Sequence, residues 1–127
     1  MKHLLAMAEI IQAAGIATIG QDLFIGTIPA DVVQGVMLRD PLLGAEIDDG
    51  MKDFYSIEVS VIVRDPNVGA GYARAEALLA ALTKTNWENA DIQAAWMRPT
   101  SLPVSYPRGD ADTLETAFRV RVGFGVK

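Results

Sequence analysis

Few residues in this 127-residue chain have the type and spacing that chemistry requires. His3 is its only histidine. A general base has to be held beside its nucleophile, and a lone imidazole at a fraying terminus has neither triad partner nor companion ligand. Acids cluster at Asp48 and Asp49 and again at Asp110 and Asp112. Carboxylates bind hard cations, but the twelve-residue calcium loop and the rest of a ligand shell are missing, so these read as solvated loop acids. Gly69-Ala70-Gly71 precedes a helix, where backbone amides can hold phosphate. It lacks the third glycine of the dinucleotide fingerprint and the Lys-Ser/Thr ending of a phosphate loop, and reads as a flexible helix entry. Arg108-Gly109-Asp110 spells an adhesion tripeptide that polar loops contain by chance. The absence of cysteine excludes disulfides and thiolate metal sites. No catalytic residue, cofactor site or metal site can be named, and the chain is not expected to be an enzyme.

The elements that would position a site are more legible. From Tyr55 to Arg64 the residues alternate, with Tyr55, Ile57, Val59, Val61 and Val63 on one side and Ser56, Glu58, Ser60 and Arg64 on the other. Period two means a strand with one buried face. After Asp65-Pro66-Asn67 the period changes, and Tyr72, Ala75, Leu79 and Leu82 recur at helical spacing over about 69–84. The closing segment alternates again: Phe118, Val120, Val122, Phe124 and Val126 face one way, Ala117, Arg119, Arg121, Gly123 and Gly125 the other. A first helix is expected over 2–14, striped by Leu4, Met7, Ala8, Ile11 and Ala14 and closed by Gly15. Short strands are expected at 22–26, 32–39 and 92–98, with Trp96 in the core and Trp87 in a partly exposed loop. Two long connections remain. The stretch 40–53 has turn formers and acids without a period, and 99–112 carries Pro99, Pro103 and Pro107, which keep it out of a sheet interior.

The element order is therefore α-β-β-β-α-β-β. Two strands with one apolar face each, and two amphipathic helices, predict an α+β two-layer sandwich: a mainly antiparallel sheet of about four to five strands with both helices on one face. Burying a large apolar side chain contributes roughly 1.5–3 kcal/mol, against about 1–2 kcal/mol per residue for ordering backbone, so neither strand stands alone. Glu58, Arg64, Arg119 and Arg121 then fall on the uncovered sheet face, either an ordinary solvated surface or a wall toward a partner or channel. Glu58 is expected across from one of the arginines.

Composition bounds the class. The length suits one domain over 1–127, and half the residues are apolar. Eleven basic against sixteen acidic residues give a formal charge of −5, which argues against tight nucleic-acid binding without forbidding nucleic acid to pass nearby. The apolar run from Leu4 to Ala14 is interrupted by Glu9 and Gln12 and falls far short of the ~20 residues that span a bilayer. No membrane association is expected, and the compartment is the cytoplasm or a particle assembled there.

With these elements in place, the chain resembles the minor capsid and tail-completion proteins of long-tailed bacteriophages, a group that includes tail terminators. The resemblance lies in layout and local texture: "AAGIATIGQDLFIGTIPAD" after the leading helix, then "YSIEVSVIVRD", "GYARAEALLAALT", "IQAAWMRPTSLP" and "FRVRVGFGV". It implies a small α+β sandwich that assembles as a ring, often hexameric, at the end of the tail tube. Implied partners are copies of itself, the tail-tube protein and the head connector, with DNA passing through without specific binding. The implied location is the virion, and the host cytoplasm during assembly. Carried onto this chain, the resemblance implies that 40–53 and 99–112 reach neighbouring subunits, with Leu42, Leu43, Ile47, Leu102, Tyr106 and Arg108 at subunit contacts. The loop 99–112 is richer in proline than the family pattern. A rival reading is a small ferredoxin-like regulatory domain that binds a metabolite, which would show a concave pocket with converging polar groups.

Overall fold

Strand alternation and helical spacing meet in a single layer of sheet. The computed structural model describes residues 2–42, 44–47, 53–107 and 114–127. Among them the chain makes helix α1 (Lys2–Ala13), strands β1 (Leu23–Ile25), β2 (Gly35–Arg39), β3 (Glu46–Ile47) and β4 (Phe54–Asp65), and helix α2 (Val68–Ala81). Strands β5 (Lys84–Glu88), β6 (Ile92–Pro99), β7 (Val104–Pro107) and β8 (Leu114–Val126) follow. The sheet runs β1-β2-β4-β8-β6-β5, with β3 beside β4 and β7 beside β8.

The α+β class stands, but the sheet is larger than expected. It has eight strands rather than four or five, and it is mixed, because β1 lies parallel to β2 while the other pairs are antiparallel. Three strands escaped the pattern. β3 lies inside the connection 40–53, and β7 inside the connection 99–112, where it adds only to the edge of β8. β5 occupies residues expected in the helix tail and the loop after it. α2 stops at Ala81, and Leu82 donates its amide to Leu78 O at 2.9 Å. β-Branched Thr83 and Thr85 then favour extended backbone.

The long ladder between β4 and β8 pairs Phe54 with Gly125 at one end and Asp65 with Leu114 at the other. Its register places Ile57 opposite Val122, Val59 opposite Val120 and Val61 opposite Phe118, all buried on one face. Val36, Leu38, Ala94 and Met97 extend that face across β2 and β6, and the same cluster takes in Met7 and Ile11 of α1 with Ala75 and Leu78 of α2. Both helices thus cover one side of the sheet.

Local chemistry sets the helix ends. Asn67 Oδ1 accepts from Ala70 N at 2.9 Å, capping α2, while Asp65 Oδ1 accepts from Asn67 N at 2.8 Å. Gly15, at φ +74°, closes α1 as its sequence position suggests. His3 does not fray. Its ring stacks on Phe124 with centroids 5.2 Å apart, and Nε2 lies 2.6 Å from Asp40 Oδ1.

Arg74 ties the segment after α1 to α2, donating to Ile16 O at 3.1 Å and to Asp22 Oδ2 at 2.6 Å. Partial burial pushes the Asp22 carboxyl up, but the Thr18 amide and the Arg74 guanidinium outweigh it and hold it below its ordinary value. A depressed folded-state value means the bond stabilises the fold above the unfolded value of about 3.9 and that this is lost as pH falls through the folded one. Asp22→Asn should therefore melt below wild type at neutral pH, with the gap closing below about pH 4 in thermal scans. Asp22 is 37% exposed, so the effect is small.

Candidate functional site

The face of the sheet that the helices leave bare is organised in cross-strand rows. At one end Gly35, Arg64, Glu115 and Tyr106 stand in register; the next row is Met37, Ile62, Ala117 and Val104. Then come Arg39, Ser60 and Arg119, followed by Glu58, Arg121 and Arg98. Ser56, Gly123 and Trp96 make the last row that reaches β6 with a large side chain.

Arginines dominate the middle of this face. Arg39, Arg98, Arg119 and Arg121 converge from three strands, against Glu58 and the exposed Glu46 on β3. Among the described residues, a chain of formal charge −5 therefore gathers an excess of positive charge on this face. Glu58 stands opposite Arg121 yet pairs diagonally with Arg119 at 3.1 Å. Arg121 Nη1 donates to Ser56 Oγ at 3.2 Å, and the Arg98 guanidinium sits 5.5 Å from the centre of the Trp96 ring. Solvated pairs of this kind contribute only a few tenths of a kcal/mol, up to about 1.

Arg64 is on the expected face but is not uncovered. It is 4% exposed, its Nε and Nη2 donate to Glu115 Oε2 at 3.2 Å each, and Nη1 donates to Pro29 O and Val32 O at 3.1 and 3.0 Å. The connection between β1 and β2 folds over it. Beside it, burial pushes the Tyr106 phenol above its ordinary value; the negative charge of Glu115 adds to this and Arg39 opposes it.

Trp96 also departs from expectation. A register shift between Ala94 and Trp96 turns the indole out of the core and onto the bare face. There it lies across Gly123 and against Phe54, whose ring centroid is 5.5 Å away. Trp87 lies on β5 and packs against the core edge.

Of the residues expected at subunit contacts, Leu42, Ile47 and Leu102 are strongly exposed and Tyr106 is 40% exposed. Leu43 and Arg108 lie outside the described residues, as do Asp48, Asp49, Asp110 and Asp112. Exposed Val104, in register with Ala117, was not singled out, although Val104-Ser105-Tyr106 alternates. A groove of about 450 Å³, lined by Glu9, Ile10, Ala13, Ala14, Ala81, Lys84 and Trp87, was also missed, because its walls come from α1 and from the distant junction of α2 with β5. Its lining is mostly apolar and does not converge polar groups as a metabolite site would.

Among the described residues no group of three His, Cys, Asp or Glu side chains could hold a metal, and no helix is long and apolar enough to cross a membrane. Gly71 has a packing role: a Cβ there would lie 3.2 Å from Thr116 Oγ1, so its hydrogen lets α2 approach β8.

Comparison with known proteins agrees with the layout. A family model described as bacteriophage tail terminator protein matches residues 10–122. A solved chain from the virion of a native gene transfer agent particle has the same fold, with TM-score 0.69 at 12% identity over 96% of this chain and 93% of its own. A second solved chain, 18% identical over 100% of this chain and 96% of its own, reaches TM-score 0.40, too low to carry an argument. No curated protein matches the sequence.

Proposed function

Because this chain belongs to the bacteriophage tail terminator proteins, structural components of phage tails, we propose that it forms a ring that caps the tail tube and joins it to the head connector. The family match over residues 10–122 carries this reading. In it the chain works in the virion, after assembly in the host cytoplasm, and performs no catalysis. The connections 40–53 and 99–112 meet neighbouring copies, with Leu42, Leu43, Ile47, Leu102, Tyr106 and Arg108 as the contact residues.

The bare sheet face turns toward a protein partner, the tube or the connector, rather than toward the DNA. Four arginines against two glutamates on that face would hold phosphates by counterion release and slow a passing duplex. The acidic balance of the whole chain suits a passage to which DNA does not adhere.

Light scattering after size exclusion tests the ring, with and without tail-tube protein. A closed oligomer in at least one condition is expected. A strict monomer in both, at high protein concentration, would sink the reading.

A further inference from the structure

A ring built from identical subunits needs two different surfaces on each copy, placed so that one meets the other around the circle. Two unpartnered apolar features of this chain lie at opposite sides of the sheet. At the β5 end is the groove between α1, α2 and β5, about 450 Å³, floored by Ile10, Ala13, Ala14, Ala81 and Trp87, with Lys84 and Glu9 on its rim. On the far side, β3 adds to the same side of β4 as β2 and carries Ile47, 75% exposed, next to exposed Glu46. Leu42, just before it, is fully exposed at 105%.

An open apolar groove and, on the opposite side, two strongly exposed aliphatic side chains close together in the chain are surfaces of the kind that mark protein contacts. The two features match in kind: aliphatic knobs on one side, an alanine-lined depression with an indole wall on the other. They also match in charge at one point, since Glu46 flanks the knobs and Lys84 stands on the groove rim, with Glu9 at another point of that rim. Because they sit on opposite sides of one sheet, neither can reach the other within a molecule. Between molecules they make a head-to-tail contact, which closes into a ring or runs on as a filament and never stops at a symmetric pair.

We infer that Leu42 and Ile47 of one copy seat in the α1–α2–β5 groove of the next, with Glu46 meeting Lys84 across the joint. This rests on the ring reading above and gives it an interface. The β5 edge itself does not join: Asn86, at φ +53°, interrupts the strand, and Asn86 and Ala95 drop out of the ladder between Thr85–Trp96 and Trp87–Ala94. Such irregularities keep an edge from pairing with another sheet.

The cysteine-free sequence allows a direct test. Leu42→Cys and Ala14→Cys both change exposed positions, so neither should disturb folding. Under the condition in which wild type gives its ring, a short bis-maleimide is added to the double variant, to each single variant, and to an equal mixture of the singles. The double variant should yield a ladder of covalent multimers ending at the ring, the mixture a dimer and nothing larger, and each single variant monomer. Rings by light scattering without this ladder would overturn the contact and leave the ring reading intact. Cross-linked dimers from either single variant would replace it with a symmetric pairing. A wild-type monomer with and without tube protein would overturn both.

Discussion

Arg64→Met is expected to lower stability by about 3–5 kcal/mol, the cost of removing one partner from a buried ion pair. For a chain of this size that is a fall of roughly 10–20 °C in melting temperature. The side chain holds four bonds at once: two to Glu115 Oε2, and one each to the carbonyls of Pro29 and Val32. Methionine keeps most of the volume, so the loss reports charge and hydrogen bonding rather than a cavity. Glu115, only 15% exposed at its side chain, would be left without its cation, and the two carbonyls without donors. Pairing the change with Glu115→Gln should recover part of the loss, because a neutral amide is cheaper to bury than a stranded carboxylate. A deficit below about 1 kcal/mol in urea melts would mean that water reaches the guanidinium and that the clasp does not anchor the connection.

The second large effect is at Gly123. A Cβ at this position would overlap the indole of Trp96, which lies flat across the glycine. Phe54 packs on the ring and Arg98 sits over it, so the indole cannot tilt away without losing one or the other. Overpacking of this kind costs about 1–3 kcal/mol for alanine and more for valine. Indole emission in Gly123→Val should move to longer wavelength as the ring is displaced into water. Trp96→Leu on the same background should remove most of the penalty. If valine at 123 proves as damaging without the indole as with it, the backbone and not the ring is what excludes a side chain there.

The sequence displayed its long-range architecture unevenly, and the reasons are physical. Period-two alternation in 55–64 and 117–126 was enough to find both central strands and their buried faces, since each is long and one-sided. Gly15 marks a helix end because capping is local, whereas Asn67 reads in the sequence only as part of the turn before α2. What failed was decided by contacts far apart in the chain. His3 looks like a fraying terminus until Asp40 and Phe124 arrive beside it. Arg64 has the right parity for a solvated face and is buried by a connection over thirty residues earlier. Trp96 shows how a single extra residue reverses orientation, because the shift after Ala94 puts the indole on the opposite side from the one simple alternation gives. β5 carries no alternation to detect, since Asn86 breaks its backbone geometry. Parity puts Glu58, Arg119 and Arg121 on one face, but the excess of arginine among its described residues depends on Arg39 and Arg98 joining from β2 and β6, which only the sheet order reveals.

The central ladder also governs when the molecule can exist at all. β8 pairs with β4, β6 and β7, yet it comes after all of them in the chain, and Phe54 waits for Gly125. During synthesis the first hundred residues emerge with their main template absent, leaving half-finished hydrophobic strands. Chains dominated by such distant pairings fold slowly and expose sticky intermediates. Subunits should therefore become competent to join a particle only once residues 114–126 have left the ribosome, so that a prematurely terminated chain is excluded from the growing structure before it can spoil it.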